Sequence, residues 1–332
     1  MRSVTQTGYG DPARVLRIDE LAKPQAGEGQ VLVRVVASSV NSGDWRRVLA
    51  DPFIVRLVEG VRRPKPHMLG GDVSGVVEEV GRGVTNLEPG DEVYGVRTGA
   101  FAEYVAAKHV VRKPASLSFE EAAATPIAGL TALQALRDKG GLQAGQSVLI
   151  SGAGGGVGTF AVQLAKAMGA TVAATTRTDK IELLRSLGAD RVFDYTREDF
   201  VSAPDRYDLV VDIGGRRSLR ALRSVLRPGG AFVQVGAARG GSGVIGRMIS
   251  GLIRSRLLRQ RVVVFISKAS TADFETLREL IDAGRIRPVV ERTYALDEIA
   301  DAIAYAATEQ AAGKIVIRVA RDQPAGGGTP GE

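Results

Sequence analysis

The chain of 332 residues contains no cysteine. That excludes disulfides, a thiol nucleophile and every zinc site built on thiolate ligands. Histidine is almost missing too: His67 and His109 are the only two. A catalytic zinc takes three protein ligands, so neither is expected to hold one. No stretch reaches the ~18 uncharged apolar residues of a membrane-spanning helix. Charges at Arg2, Asp11, Arg14 and Arg17 interrupt residues 1–20, where a signal peptide would carry its apolar core. A cytoplasmic protein is expected. What is present is ordinary for a soluble globular chain, with 44% hydrophobic and 24% charged residues, and the length suits about two domains. The net charge is +7. Basicity suits a polyanion, whether nucleic acid, membrane or phosphorylated ligand. The charges are scattered and no nucleic-acid motif accompanies them, so nucleic acid is not expected as the main partner.

Residues 1–115 read as β-rich. The β-branched runs Val31–Val36 and Val73–Val80 are bounded by Gly, Pro and Asp, as strands are. Glu88-Pro89-Gly90-Asp91 marks a tight turn before Glu92-Val93-Tyr94-Gly95, and Phe101–Val105 reads as another short strand. Several short strands with turns suggest a small barrel or sandwich. Beyond Pro114 the pattern changes. Ser118 with Glu121 forms a capping box before an Ala-rich helical stretch. From Ser147 strands alternate with helices: strands at Ser147–Ile150, Thr171–Thr175, Arg191–Phe193, Leu209–Asp212, Ala231–Val235 and Val262–Ile266, with helices at Thr159–Met168 and Asp179–Leu187. That alternation predicts βαβ units and a parallel sheet. Two further helices, Ala272–Ala283 and Leu296–Thr308, precede a strand at Lys314–Val319, and residues from Gln323 onward read as a disordered tail.

The sharpest motif is Val148-Leu149-Ile150-Ser151-Gly152-Ala153-Gly154-Gly155-Gly156-Val157-Gly158, an apolar strand running into a glycine cluster and then a helix. Glycines allow the tight turn and let backbone N–H groups approach a pyrophosphate, while the helix N-terminus supplies unpaired donors. Gly152, Gly155 and Gly158 fall three apart, a variant of the strict dinucleotide fingerprint. A flexible turn is the plainer reading, but the strand before and helix after favour a dinucleotide. An NAD site would carry an acid at the end of the second strand, where this chain reads Thr175-Thr176-Arg177-Thr178-Asp179-Lys180. Hydroxyls with Arg177 and Lys180 suit the 2′-phosphate of NADPH, and Asp179 is expected to begin the next helix. A merely solvated basic turn is the alternative.

With these residues in hand, the chain resembles the zinc-independent medium-chain dehydrogenases/reductases of the quinone oxidoreductase type. The resemblance runs through Val40-Asn41-Ser42-Gly43-Asp44-Trp45, Leu69-Gly70-Gly71-Asp72-Val73-Ser74-Gly75-Val76-Val77, Pro89–Gly95, Gly99–Tyr104, Ala128-Gly129-Leu130-Thr131-Ala132, Gly152–Gly158, Gly188-Ala189-Asp190 and Gly313-Lys314-Ile315-Val316. It implies a GroES-like β-barrel domain over 1–118 with a return over 270–320, and a Rossmann doubly wound parallel-sheet domain over 119–269. The tail is 321–332. The active cleft would lie between the domains. By the same similarity Tyr195 and Lys180 match positions that hold the 2′-phosphate, and Asn41, Thr131, Gly214-Gly215, Gly236 and Phe265 match the nicotinamide side. A homodimer formed by edge pairing of the parallel sheets is implied. On residue type alone, Asn41 suits a turn and Phe265 a core position equally well.

Zinc-dependent relatives carry Cys near Asn41–Asp44 and Gly-His-Glu at the position of Gly70-Gly71-Asp72; these ligands are missing, and no metal is expected. Conjugate hydride addition is then easier than alcohol oxidation, since nothing stabilises an alkoxide. The resulting expectation is NADPH-dependent reduction of quinones or α,β-unsaturated carbonyls, with a zinc-free alcohol dehydrogenase or a non-enzymatic NADPH-binding sensor or RNA-associated protein as rivals. Quinone reductases of this type often carry Tyr in the segment after Asn41, whereas this chain reads Asp44-Trp45-Arg46-Arg47, so no catalytic acid is assigned. Asp44 and Asp72 are expected to be structural, bonded to backbone or Arg. Trp45 is expected to pack rather than to stack on substrate. The basic stretch Gly246–Arg261, with Met248, Ile249, Leu252 and Ile253 at helical spacing, reads as an ordinary helix packed near the cleft entrance with its arginines in water, in preference to an amphipathic surface helix touching an anionic membrane or a hydrophobic quinone tail.

Overall fold

The computed structural model describes residues 1–64, 69–236 and 260–320. The basic stretch over 246–259, His67 and the expected tail 321–332 lie outside them. Strands β1 (Arg2–Gln6) and β2 (Leu16–Glu20) pair antiparallel. Strands β3 (Val31–Val40), β4 (Asp72–Val80), β5 (Glu92–Val96), β6 (Tyr104–Ala107) and β7 (His109–Arg112) follow. Next come β8 (Ser147–Ser151), β9 (Thr171–Thr176), β10 (Arg191–Asp194), β11 (Tyr207–Asp212), β12 (Leu226–Gln234) and β13 (Arg261–Val264). The chain closes with β14 (Val290–Ala295) and β15 (Lys314–Arg318).

These strands make a seven-stranded sheet in the order β14-β15-β3-β4-β5-β7, with β6 on β3, and a six-stranded parallel sheet in the order β10-β9-β8-β11-β12-β13. The first is the GroES-like part and the second the Rossmann part. In the second, strand order reverses between β8 and β11, the switch point where doubly wound sheets bind ligands beyond their carboxyl ends. The turn at Glu88–Asp91 is present, closed by Asp91 N–H donating to Glu88 C=O (3.1 Å), with Gly90 at φ +96°. The capping box is present as well: Ser118 Oγ accepts from Glu121 N–H (3.2 Å) and Glu121 Oε2 from Ser118 N–H (2.9 Å).

One strand expected from the sequence lies elsewhere. Phe101 is fully buried outside any strand, and pairing begins at Tyr104. The reason is a crossing: Phe101 N–H donates to Leu69 C=O (3.0 Å), Val4 N–H donates to Phe101 C=O (2.9 Å), and a Cβ on Gly70 would sit 2.6 Å from Phe101 N. The helix Thr271–Asp282, expected with the barrel, buries Phe274, Leu277 and Ile281 in the same core as Phe160, Leu133 and Val211 of the parallel sheet. Tyr94 of β5 joins that core and donates its hydroxyl to Phe274 C=O (2.6 Å), so the two sheets share a packed wall.

Candidate active site

A cleft of about 1960 Å³ is lined from both sheets. Of the fourteen residues expected to hold the cofactor, Asn41, Thr131, Gly152, Gly155, Gly156, Val157, Thr176, Arg177, Lys180, Tyr195, Gly214, Gly236 and Phe265 all line it. Gly158 does not. It is buried behind the loop, where a Cβ would stand 2.4 Å from Ala153 O, so its part is to let helix and turn approach closely.

β8 runs straight into Gly152 at φ +81°, where a Cβ would meet Gly214 N at 2.7 Å. Only glycine brings the ends of β8 and β11 this close. The helix Gly156–Ala167 then starts inside the glycine cluster, earlier than the Thr159 expected from the sequence. Its N-cap, Gly155, provides no side-chain cap, and a Cβ there would find nothing within 4 Å. The first N–H groups of the helix therefore face open cleft, as a pyrophosphate site requires. A Cβ on Gly154 would strike Lys180 Cδ and Thr176 Oγ1, both at 2.6 Å, so these two side chains lie directly beneath the loop.

The cations after β9 are engaged more than the sequence suggests. Asp179 does not line the cleft; its carboxylate takes two hydrogen bonds from Arg177 (3.2 and 2.7 Å), a local clamp that the expectation of a helix-starting acid missed. Lys180 is buried and donates to Ala311 C=O (2.6 Å). Burial first and the Arg177 charge second hold the Lys180 ammonium below the usual lysine range. An added anion relieves both penalties, which fits a phosphate monoester here. Tyr195, half-buried, follows β10 beside them, its N–H on Thr176 C=O (3.1 Å).

Asn41, expected on the nicotinamide side, sits in a buried polar knot. Lys314 Nζ donates to Asn41 Oδ1 (2.7 Å), Val40 C=O (3.0 Å) and Asp72 Oδ2 (3.3 Å). Asn41 Nδ2 donates to Asp72 Oδ2 (2.8 Å) and Ser39 C=O (3.3 Å). Both its amide hydrogens are thus spent, and what Asn41 can still offer a ligand is its remaining carbonyl lone pair. Asp72 also accepts from Ile127 N–H (2.7 Å) and Ser39 Oγ (2.5 Å). Asp44 accepts from Asn41 N–H (2.8 Å) and Gly70 N–H (3.2 Å). Both acids are bonded to backbone N–H groups, as expected, although the cation on Asp72 is Lys314 rather than an arginine. Burial pushes the Asp44 carboxyl up to about 6 against the opposing pull of its two backbone N–H bonds.

Thr131 Oγ1 bonds Ser267 Oγ (2.8 Å), and Gln134 bonds Lys268 C=O (2.9 Å) and N–H (3.0 Å), fixing the chain just beyond β13. Phe265 serves both readings at once, packing partly on the parallel-sheet core while lining the cleft. Trp45 is 3% exposed and packs in the barrel core, as expected, with one edge on the cleft. Tyr94 is fully buried and away from the cleft, and burial raises its hydroxyl well above the ordinary tyrosine range. Sequence reading missed Lys314 and Gln134 as site residues; the only signal for the first was the Gly313-Lys314 motif.

Residues 27–115 match the alcohol dehydrogenase GroES-like domain and residues 187–317 the zinc-binding dehydrogenase family. The chain is 36% identical to the 2-methylene-furan-3-one reductase of Solanum lycopersicum, over 96% of this chain and 79% of that protein. It is 34% identical to the chloroplastic NADPH-dependent alkenal/one oxidoreductase of Arabidopsis thaliana, over the same shares. Among solved structures, the quinone oxidoreductase from Coxiella burnetii superimposes with a TM-score of 0.84 at 30% identity, covering 96% of this chain and 99% of that one. The chain belongs to the medium-chain dehydrogenases/reductases, in the quinone oxidoreductase branch.

Proposed function

We propose that this protein reduces quinones or α,β-unsaturated carbonyl compounds with NADPH. The observation that carries the reading is the cleft at the β8/β11 switch point, where an uncapped helix N-terminus and the pair Arg177 and Lys180 line the same cavity as Asn41 and Thr131. Relatives named as an NADPH-dependent alkenal/one oxidoreductase and as quinone oxidoreductases support it.

NADPH supplies the hydride. In this reading the backbone N–H groups of Gly156 and Val157 bind the pyrophosphate, with Gly152 and Gly155 leaving it room and Gly158 packing the helix against the turn behind them. Arg177, Lys180 and Tyr195, with Thr176, hold the 2′-phosphate. Asn41, Thr131, Gly214, Gly236 and Phe265 form the nicotinamide side, where Asn41 Oδ1 accepts from a hydroxyl or amide. These residues orient the two reactants, which converts an encounter into a unimolecular step. The oxygen that becomes enolate or quinol takes its proton from solvent or from a donor in the cleft; the hydroxyl of Tyr94 and the carboxylate of Asp44 are bonded to backbone partners and are not assigned that role.

Consumption of NADPH with a panel of quinones and enones tests this. Turnover with NADPH, and no alcohol-dependent reduction of NADP⁺ with or without added metal, is the expected result. Stoichiometric NADPH binding without turnover on any of the panel would overturn it in favour of a sensor. Arg177→Ala with Lys180→Ala is expected to weaken NADPH about 10- to 100-fold, the worth of lost charge-assisted bonds, and to affect NADH much less. An unchanged preference removes the 2′-phosphate assignment.

The reading also includes a homodimer through the edge strand β13, which sheet edges favour. Its domain boundaries are 1–118 with 270–320, and 119–269, the helix Thr271–Asp282 forming the shared wall. A cytoplasmic location stays part of the proposal. No helix among the described residues is long and apolar enough to cross a membrane, and relatives named for the chloroplast and the mitochondrion keep those compartments to themselves.

A further inference from the structure

The exposed apolar surface of the described residues is gathered around one cavity. Seven large hydrophobic side chains are exposed, and five of them, Phe53, Ile54, Leu57, Val58 and Val61, follow one another around the short helix Val55–Glu59. Ile54, Leu57 and Val58 lie one turn apart on this helix and its N-cap, a face that ordinarily packs on something, and Val61 follows just past the helix end at Gly60. This helix buries none of its residues, and Leu57 and Val58 are 65% and 67% exposed. Single exposed hydrophobics need no explanation, whereas a contiguous set does.

The strip is continuous with the active cleft. Ile54, Val55 and Val58 line it, and so do the other two exposed hydrophobics, Val264 and Ile266. Nor is the strip loosely hung. Arg47 pairs with Glu59 (3.2 Å), Tyr9 donates its hydroxyl to Gly60 C=O (2.7 Å), and the Arg56 guanidinium lies 4.9 Å from the centre of the Tyr9 ring.

We propose that the strip binds an apolar tail of the substrate, and that the natural substrates are enones or quinones bearing a long alkyl, acyl or prenyl chain. The electron-poor head enters the cleft and the chain lies along Ile54, Leu57, Val58 and Val61. The substrate class rests on the reductase reading above; the tail site itself does not. Continuity with the cleft favours a tail over a lipid surface or a second copy of the chain, neither of which needs residues that line the cavity.

Two chain-length series test it, one of straight-chain 2-alkenals turned over with NADPH and one of saturated 2-alkanones followed by titration calorimetry. Over the lengths that reach the strip, kcat/KM is expected to rise, and the alkanone Kd to fall, about three- to fourfold per added methylene. Leu57→Ser with Val61→Ser replaces two exposed side chains. It is expected to lower the long-to-short ratio of kcat/KM, and of alkanone affinity, by at least about tenfold. Equal chain-length slopes in the two proteins overturn the proposal. So does a change in oligomer mass without a change in slope, which makes the strip an interface between copies. Loss of flotation with phosphatidylserine vesicles at constant slope assigns it to a lipid surface and also overturns it. If no alkenal is turned over, the reductase reading fails, and the alkanone series still decides the tail site.

Discussion

At the scale of single residues, Lys314 carries the heaviest electrostatic duty in the cleft. Its side chain is 4% exposed and Asp72 is fully buried. Lys314→Met leaves the carboxylate without its cation and is expected to cost about 3–5 kcal/mol of stability in urea unfolding. Adding Asp72→Asn to that variant is expected to restore part of the loss, because the two changes share one interaction. Asp44 gives a pH signature. Its carboxyl keeps a proton to about 6 in the folded chain, while an unfolded aspartate releases it near about 4. The folded state therefore binds more protons over that interval, and the stability this group contributes is greatest at low pH and falls as pH rises through about 6. The difference in unfolding free energy between the natural chain and Asp44→Asn is expected to decline across that window and to be flat above it. A flat difference throughout would show that Asp44 ionises normally. Asn41 and Asp44 were legible from their motif. The knot they enter was not, since Lys314 meets Asp72 from 242 positions away in the chain, and no local pattern encodes that meeting.

At the scale of elements, the glycine loop separates two jobs that a sequence motif merges. Gly155 stands in extended backbone at φ −99° with open space where a side chain would go. Gly155→Ala is expected to leave stability within about 0.5 kcal/mol, as for a substitution away from packed features, and to weaken NADPH by intruding on the pyrophosphate. Gly158→Ala is expected to act in the reverse order. Its Cβ would overlap the Ala153 backbone, so loss of stability, read by thermal unfolding, comes before any effect on binding. Equal thermal stability of the two variants would merge the roles again. The strand–glycine–helix unit was readable because all its determinants are local: apolar β-branched residues, then glycines, then a helical stripe. Phe101 was misread for the complementary reason. Its β-like neighbours say nothing of the crossing over Gly70, which depends on Leu69 and Val4. The stripe Ile54–Val61 escaped notice since its helix is short and ends at Gly60, with φ +125°.

At the scale of the whole molecule, the two sheets are joined where the cofactor loop meets the returning chain. Gly313 N–H donates to Gly154 C=O (3.2 Å), and a Cβ on Gly156 would strike Lys314 Cδ at 2.6 Å. A ligand filling the loop therefore stabilises both sheets. At a hundred times its Kd, NADPH is expected to add about 2.7 kcal/mol to a single unfolding transition. Two transitions, with only one moved by NADPH, would show the sheets to be independent.

β15 lies between β3 and β14, so the sheet begun by residues 31–40 waits for partners more than two hundred positions later. During synthesis on the ribosome β3 emerges early; β6 can cover Val31–Arg34, but the rest of that flank, Ala37–Val40, is closed only after the intervening Rossmann strands have left the exit tunnel. The nascent chain must hold an unfinished edge for most of its translation, which makes the order of emergence, rather than the strength of any one contact, the step most exposed to misassembly.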